Sequence, residues 1–327
     1  MPEHVPPLST PPDTNGAAVD PSLPITVLLN EASGRDDKQS VRQSIERALR
    51  EAGRDFRLMT VPTRAALPEL ARRCAEEAIG RSRLLLAAGG DGTINAVAGH
   101  LLHTGVPLGI VPLGTFNYLA RDLGIPLDPA AAVRVLLDGL ERDVPVARVN
   151  GRLFFVNANF GLYRRLQEEG ERRKRRFGRN RPVVVFSALL TLLRHHRVYD
   201  VQLEIDGRPV RMRTPLVFCG FNTLQLEKLG LPAAECTARG MLAVLTLRPM
   251  SRRELLGFAL RGALQGLGEA SNLRTYCASS VEVHWRGART ARVAIDGETC
   301  TCSLPLRFDV ARDALRVIVP RFPEPRE

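Results

Sequence analysis

Two polar stretches sit where a phosphate could be gripped. Gly89-Gly90-Asp91-Gly92-Thr93-Ile94-Asn95 follows the apolar run Leu84 to Gly89 and opens a helical pattern. Glycines there let the chain turn sharply and approach a ligand closely. N–H groups at a helix start, at the positive end of its dipole, bind phosphate. Thr93 and Asn95 can add side-chain hydrogen bonds. Lysine is missing from the position that would make this a P-loop, and the spacing is not the six-residue dinucleotide fingerprint. By itself the Gly-Asp-Gly is equally a tight strand-to-helix turn with no ligand. The second stretch, Leu113-Gly114-Thr115-Phe116-Asn117, also lies between a strand pattern and a helix pattern, and Asn30 and Thr60 likewise close strands. Open α/β sheets place ligands at such strand ends.

A carboxylate that could take a proton from an attacking hydroxyl is found in Asp296-Gly297-Glu298. The same turn chemistry occurs at Asp206-Gly207-Arg208, and local physics does not separate the two hairpins.

The elements that must carry these groups change character along the chain. ITVLLN (25–30), FRLMTV (56–61), LLLAAG (84–89) and PLGIVPLGT (107–115) read as strands. Between and after them, helical patterns run over 38–51, 67–79, 94–102, 116–122 and 129–138. Strand–helix alternation predicts a layered α/β domain with a parallel sheet. Beyond about Arg142 the strands alternate apolar and polar residues and come in hairpins around Asn150-Gly151, Asp206-Gly207 and Asp296-Gly297. The expected organisation is a leader at 1–24, an α/β nucleotide-binding domain at 25–142 and an antiparallel β-sandwich domain at 143–313. A last strand within 314–327 returns to the first domain. Two helical insertions, 164–196 and 251–267, are expected in the second half.

The charge balance, 46 Lys+Arg against 35 Asp+Glu in 327 residues, favours anionic partners. Aromatics make up only 5%, which argues against a nucleic-acid partner that needs stacking platforms. Residues 164–181 hold nine Lys or Arg against three Glu and run into the apolar stretch VVVFSALLTLL, a combination suited to an anionic membrane surface. A solvated loop before an ordinary core helix explains the same pattern. No apolar run reaches the ~20 residues a membrane span requires. The first 24 residues hold seven prolines and read as a disordered leader rather than a signal peptide. The six cysteines show no paired C-x-x-C clusters, so neither metal nor disulfide use is expected. The expected location is cytoplasmic, with peripheral membrane association.

GGDGTIN (89–95) together with PLGTFNYLARDLGIP (112–126) resembles the catalytic domain of the diacylglycerol kinase family, which includes soluble bacterial lipid kinases, sphingosine kinases and ceramide kinases. The resemblance runs from Ile25 to Pro320 and takes in NEASGR, TPLVFCGFN, the RGML turn, AIDGE and the final LRVIVP. GGDGT alone is shared with NAD kinases and phosphofructokinase-like folds. The resemblance implies a NAD kinase/diacylglycerol kinase-like fold and transfer of the γ-phosphate of ATP to a lipid alcohol. Gly89, Gly90, Asp91, Gly92, Thr93, Ile94 and Asn95 would hold the ATP phosphates. Asn30, Thr60, Gly114, Thr115 and Asn117 would line the nucleotide site. Asp91 would help place Mg²⁺ or the phosphates, and Glu298 would be the general base with Asp296 beside it. The sequence departs from the family pattern at Glu31, Tyr118, Phe221 and Arg239. Two other readings stay open: a NAD kinase-like small-molecule kinase, and a non-catalytic lipid- or nucleotide-binding regulator of the same fold.

Overall fold

The computed structural model describes residues 16–31, 38–161, 198–228, 231, 233–249, 251, 254 and 272–323. The NEASGR loop beyond Glu31, the basic stretch at 164–181 and most of both expected helical insertions lie outside the described residues.

In the first half, β2 (Ile25–Asn30), β3 (Phe56–Val61), β4 (Leu84–Gly89) and β5 (Leu108–Pro112) pair in parallel, in the order β5-β4-β2-β3. Every residue of β2, β4 and β5 is buried, as a sheet covered on both faces demands. The covering helices show why they form. In α1 (Lys38–Glu51), Val41, Ile45 and Leu49 fall four apart and are all buried. In α2 (Leu67–Gly80), the buried residues Ala71, Cys74, Ala75 and Ala78 make the same kind of stripe. In α5 (Pro129–Asp138), proline stands in the first turn, and Asp128 caps the start by accepting a hydrogen bond from the Ala131 N–H at 2.8 Å.

The second half is antiparallel. β9 (Tyr199–Ile205) and β10 (Arg208–Thr214) form one hairpin, and β15 (Thr290–Ile295) and β16 (Glu298–Ser303) another. A six-stranded sheet runs β13-β12-β11-β8-β15-β16, using β8 (Asn157–Gly161), β11 (Leu216–Gly220), β12 (Leu242–Leu247) and β13 (Leu273–Ala278). Its inner face, with Ala158, Phe160, Val217, Cys219, Val244 and Val293, packs on Val201, Leu203, Val281, Val283, Leu306 and Phe308 of the opposing sheet. That is the expected β-sandwich. The outer face is covered in part by α6 (Thr223–Lys228) and α7 (Ala234–Ala238), through Leu226, Ala233 and Cys236.

The opposing sheet is not confined to the second half. β17 (Leu306–Val319) begins antiparallel to β14 (Ser280–Trp285) and ends with Val317 opposite Leu108, parallel to β5. On its other edge it pairs along most of its length with β6 (Leu140–Val149), with one register shift between Ala311 and Leu315. One eleven-stranded sheet therefore runs from the parallel layer into the sandwich.

One expectation needs correction. Cys236 and Cys277 are joined by a disulfide, contrary to the reading of the cysteine spacing. Spacing could not reveal it, because the pair is 41 residues apart and is assembled by tertiary packing of α7 on the edge strand β13. Cys300 and Cys302 do occupy alternate positions of β16. Among the described residues, no helix is long and apolar enough to cross a membrane. A bridge closing a loop of this length is worth up to about 4 kcal/mol in the chain-entropy picture. We predict that Cys236→Ser lowers the unfolding free energy by about 2–4 kcal/mol in urea titrations without reductant, and that added dithiol leaves this variant unchanged.

Candidate functional site

The helix after the Gly-rich loop, α3 (Asp91–Leu101), starts at Asp91 and not at Ile94, because Gly90 stands in extended geometry as its N-cap. Asp91, Gly92 and Thr93 thus form the first turn; the Thr93 N–H donates to the Gly90 carbonyl at 2.8 Å, and the leading N–H groups of a helix lack partners within it. A Cβ added at Gly92 would meet nothing within 4 Å, so space is open in front of that turn. At Gly89 a Cβ would come 2.5 Å from Thr93 Oγ1, so only glycine fits there. Asn30, buried at the end of β2, donates from Nδ2 to Thr93 Oγ1 at 2.7 Å.

The second loop is locked to the first. Gly114 faces Gly90 backbone to backbone, and a Cβ on Gly114 would lie 2.7 Å from the Gly90 Cα. Asn117 takes the left-handed conformation (φ 51°), which delays the start of α4 (Tyr118–Asp122) past the expected Phe116. Its side chain closes the loop, accepting from Gly114 N at 2.8 Å and donating to Gly114 O at 3.0 Å. The Asp91 carboxylate faces the amides that open α4, with Leu119 N at 3.5 Å. Burial pushes that carboxyl above its usual range, while the amides of Leu119, Asn117 and Tyr118 pull the other way. Asp91 therefore braces the two loops. Among the described residues, no group of three or more His, Cys, Asp or Glu is placed to hold a metal ion. Thr60 is half-buried near the end of β3, and Thr115 is exposed in the second loop.

The hairpin β15–β16 comes to this rim from the second half. Both Asp-Gly turns share one geometry, with φ of 45° and 79° at Asp206-Gly207 and 45° and 87° at Asp296-Gly297. Both aspartates accept backbone N–H groups. Asp206 takes those of Ser279 (3.0 Å) and Ser280 (2.8 Å) within the sandwich. Asp296 takes those of Phe155 (2.8 Å), Val156 (2.9 Å) and Asn157 (2.9 Å), and also Asn95 Nδ2 of α3 at 2.6 Å. That last bond separates the turns: one stays local and the other clasps the phosphate-type loop. Asp296 is thus a positioning residue, with four donors around its carboxylate. The Oδ1 of Asn95 is buried and has no hydrogen-bond partner. Glu298, two residues on, is exposed and ion-paired with Arg64 of the 3-10 turn Arg64–Ala66, which follows β3.

Three contributors escaped sequence reasoning. The amides of residues 155–157 are backbone, so no side chain announces them. Arg64 is signalled only by its place four residues beyond Thr60. Asn222 of the second half donates to the Tyr118 carbonyl at 3.3 Å, and only the stretch TPLVFCGFN hinted at it.

A parallel α/β layer and a β-sandwich sharing one sheet thus carry a glycine-paired loop at the sheet rim. Residues 24–149 match the family described as diacylglycerol kinase catalytic domain. A Pseudomonas aeruginosa protein named "Probable lipid kinase YegS-like" is 39% identical over 141 residues, 42% of this chain and 44% of that protein. A Mycobacterium tuberculosis protein named diacylglycerol kinase is 29% identical over 249 residues, 72% of this chain and 77% of that protein. The matches to the YegS-like relatives of Klebsiella pneumoniae and P. aeruginosa span about half of those proteins, 46% and 44%. A crystal structure described as a diacylglycerol kinase from Bacillus anthracis shares the fold at TM-score 0.65 and 18% identity, covering 90% of this chain and 96% of that one.

Two predictions follow from the packing. Gly114→Ala drives a methyl group into Gly90, so overpacking should cost about 1–3 kcal/mol in urea unfolding. Desolvation holds the Asp296 carboxyl up at about 6, against hydrogen bonds from Phe155, Asn157, Val156 and Asn95. A carboxyl raised in the fold binds a proton more tightly there than in the unfolded chain. Its contribution to stability therefore declines as pH rises from about 4 to about 6 and is flat above. Unfolding titrations across pH 4–7 should show wild type losing stability relative to Asp296→Asn over that window.

Proposed function

We propose that this chain is an ATP-dependent lipid kinase that moves the γ-phosphate of ATP to the hydroxyl of a lipid alcohol such as diacylglycerol or a sphingoid lipid. One observation carries the reading beyond the family match: the 2.6 Å hydrogen bond from Asn95 to Asp296. It fastens the hairpin bearing Glu298 to the helix whose first turn offers phosphate-binding amides. Donor phosphate and proton acceptor thereby share one rim.

In this scheme the N–H groups at the start of α3 and its positive dipole end hold the phosphates. Asn30, Thr93, Asp91 and Asn117 keep the loops in shape rather than touching the nucleotide with their braced atoms. Mg²⁺ would arrive with the nucleotide and neutralise phosphate charge. The lipid oxygen forms a bond to the γ-phosphorus as the bond to the β,γ-bridging oxygen breaks. ADP leaves, and the hydroxyl proton passes to Glu298. Positioning and charge neutralisation supply most of the rate, and the base adds about 10²–10⁴-fold. The excess of 46 basic over 35 acidic residues supports peripheral docking on an anionic membrane from which the lipid is drawn.

The test is labelled ATP with Mg²⁺ and a panel of lipid alcohols in mixed micelles, scored by phosphorylated lipid. Glu298→Gln should lower turnover by at least about 10²-fold while ATP still binds in calorimetry. Near-normal turnover in that variant would remove Glu298 from the mechanism. ATP binding without phosphorylation of any lipid by wild type would favour the regulator of the same fold.

A further inference from the structure

The phosphate-type loop has no lysine or arginine of its own between Gly89 and Asn95. A helix end offers only about half a positive charge. A triphosphate tail carries several negative charges, and beside Mg²⁺ a cationic side chain from elsewhere on the rim would help to meet them. Arg64 is placed for this. It lies just after β3, on the strand-end side of the sheet where Asn30 and the Gly-rich loop also emerge. Its guanidinium meets the carboxylate of Glu298 across the two halves of the molecule.

Chain geometry bounds how far this contact is from the loop. Asp296 touches Asn95 of α3 directly, and Glu298 is two residues further along the hairpin, a reach of at most about 7 Å. The Arg64 side chain is 82% exposed and that of Glu298 68% exposed. An ion pair this open is weak and exchangeable, because water and salt compete with it at little cost. A guanidinium also matches a phosphate better than it matches one carboxylate, with two parallel N–H donors and more charge to meet.

We propose that Arg64 is a phosphate-positioning residue that exchanges its partner between Glu298 and the terminal phosphate of ATP. The exchange couples two events. Arrival of the γ-phosphate draws the guanidinium away, and the Glu298 carboxylate is released to accept the proton of the acceptor hydroxyl. ADP, lacking that phosphate, leaves the pair closed. This deepens the kinase reading above and rests on it for the role of Glu298. The exchange itself is a statement about nucleotide binding and can be tested without turnover.

The experiment is calorimetry with ATP and with ADP, each with Mg²⁺, on the full chain and four variants. Arg64→Ala should weaken ATP about tenfold, the worth of one charge-assisted contact, and change ADP by less than about twofold. Glu298→Gln removes the competing carboxylate and should tighten ATP about two- to fivefold. The double variant Arg64→Ala/Glu298→Gln should match Arg64→Ala alone, since there is no longer a guanidinium to release. Arg64→Lys should recover part of the ATP preference. Equal losses for ATP and ADP in Arg64→Ala would overturn the proposal, as would a gain from Glu298→Gln that survives in the double variant. The lipid assay is read separately. The expected binding pattern with no lipid phosphorylated would sink the lipid-kinase reading and leave Arg64 assigned, whereas wild type that binds no ATP would sink both.

Discussion

A hydrogen bond between Asn95 and Asp296, 201 residues apart in the chain, ties α3 to the turn of the β15–β16 hairpin. The geometry is held from both sides. Asn95 lies in the second turn of α3, and Asp296 is fixed by the three successive amides of residues 155–157. A carboxylate so supported has little freedom to tilt, and the glutamate two residues on inherits that rigidity.

Much of the polar chemistry at the rim serves shape. Asn30, Thr93, Asp91 and Asn117 all use side-chain atoms on protein partners. They hold the backbone amides of both loops at a fixed spacing, and a ligand meeting such preorganised groups would lose less entropy on binding than one that recruited mobile side chains. Two glycines in face-to-face contact, Gly90 and Gly114, set the distance between the loops. The loop motif is thus as much a packing motif as a binding motif.

That dual use explains what was readable in advance. The strands 25–30, 56–61 and 84–89 and the helices 38–51 and 129–138 stood out because a buried parallel layer leaves unbroken apolar runs between periodic helices. The hairpins stood out because Asn-Gly and Asp-Gly force the turn. The type of Asp296 could be read, but its task could not, since its partners are amides brought in by β8 and a side chain from α3. Helix starts shifted by two or three residues where a cap, Gly90 or left-handed Asn117, set the boundary in place of the apolar pattern. The Cys236–Cys277 bond and the Arg64–Glu298 pair were out of reach for one shared reason: each joins elements whose meeting depends on the finished topology.

β17 belongs to both halves at once, antiparallel to β14 where it starts and parallel to β5 where it ends. A swing of one half against the other would have to shear the main-chain pairing on both edges of β17, which is interrupted at one register shift. Opening and shutting is left to side chains and turns at the rim, and any torsion between lobes concentrates at the single irregularity between Ala311 and Leu315.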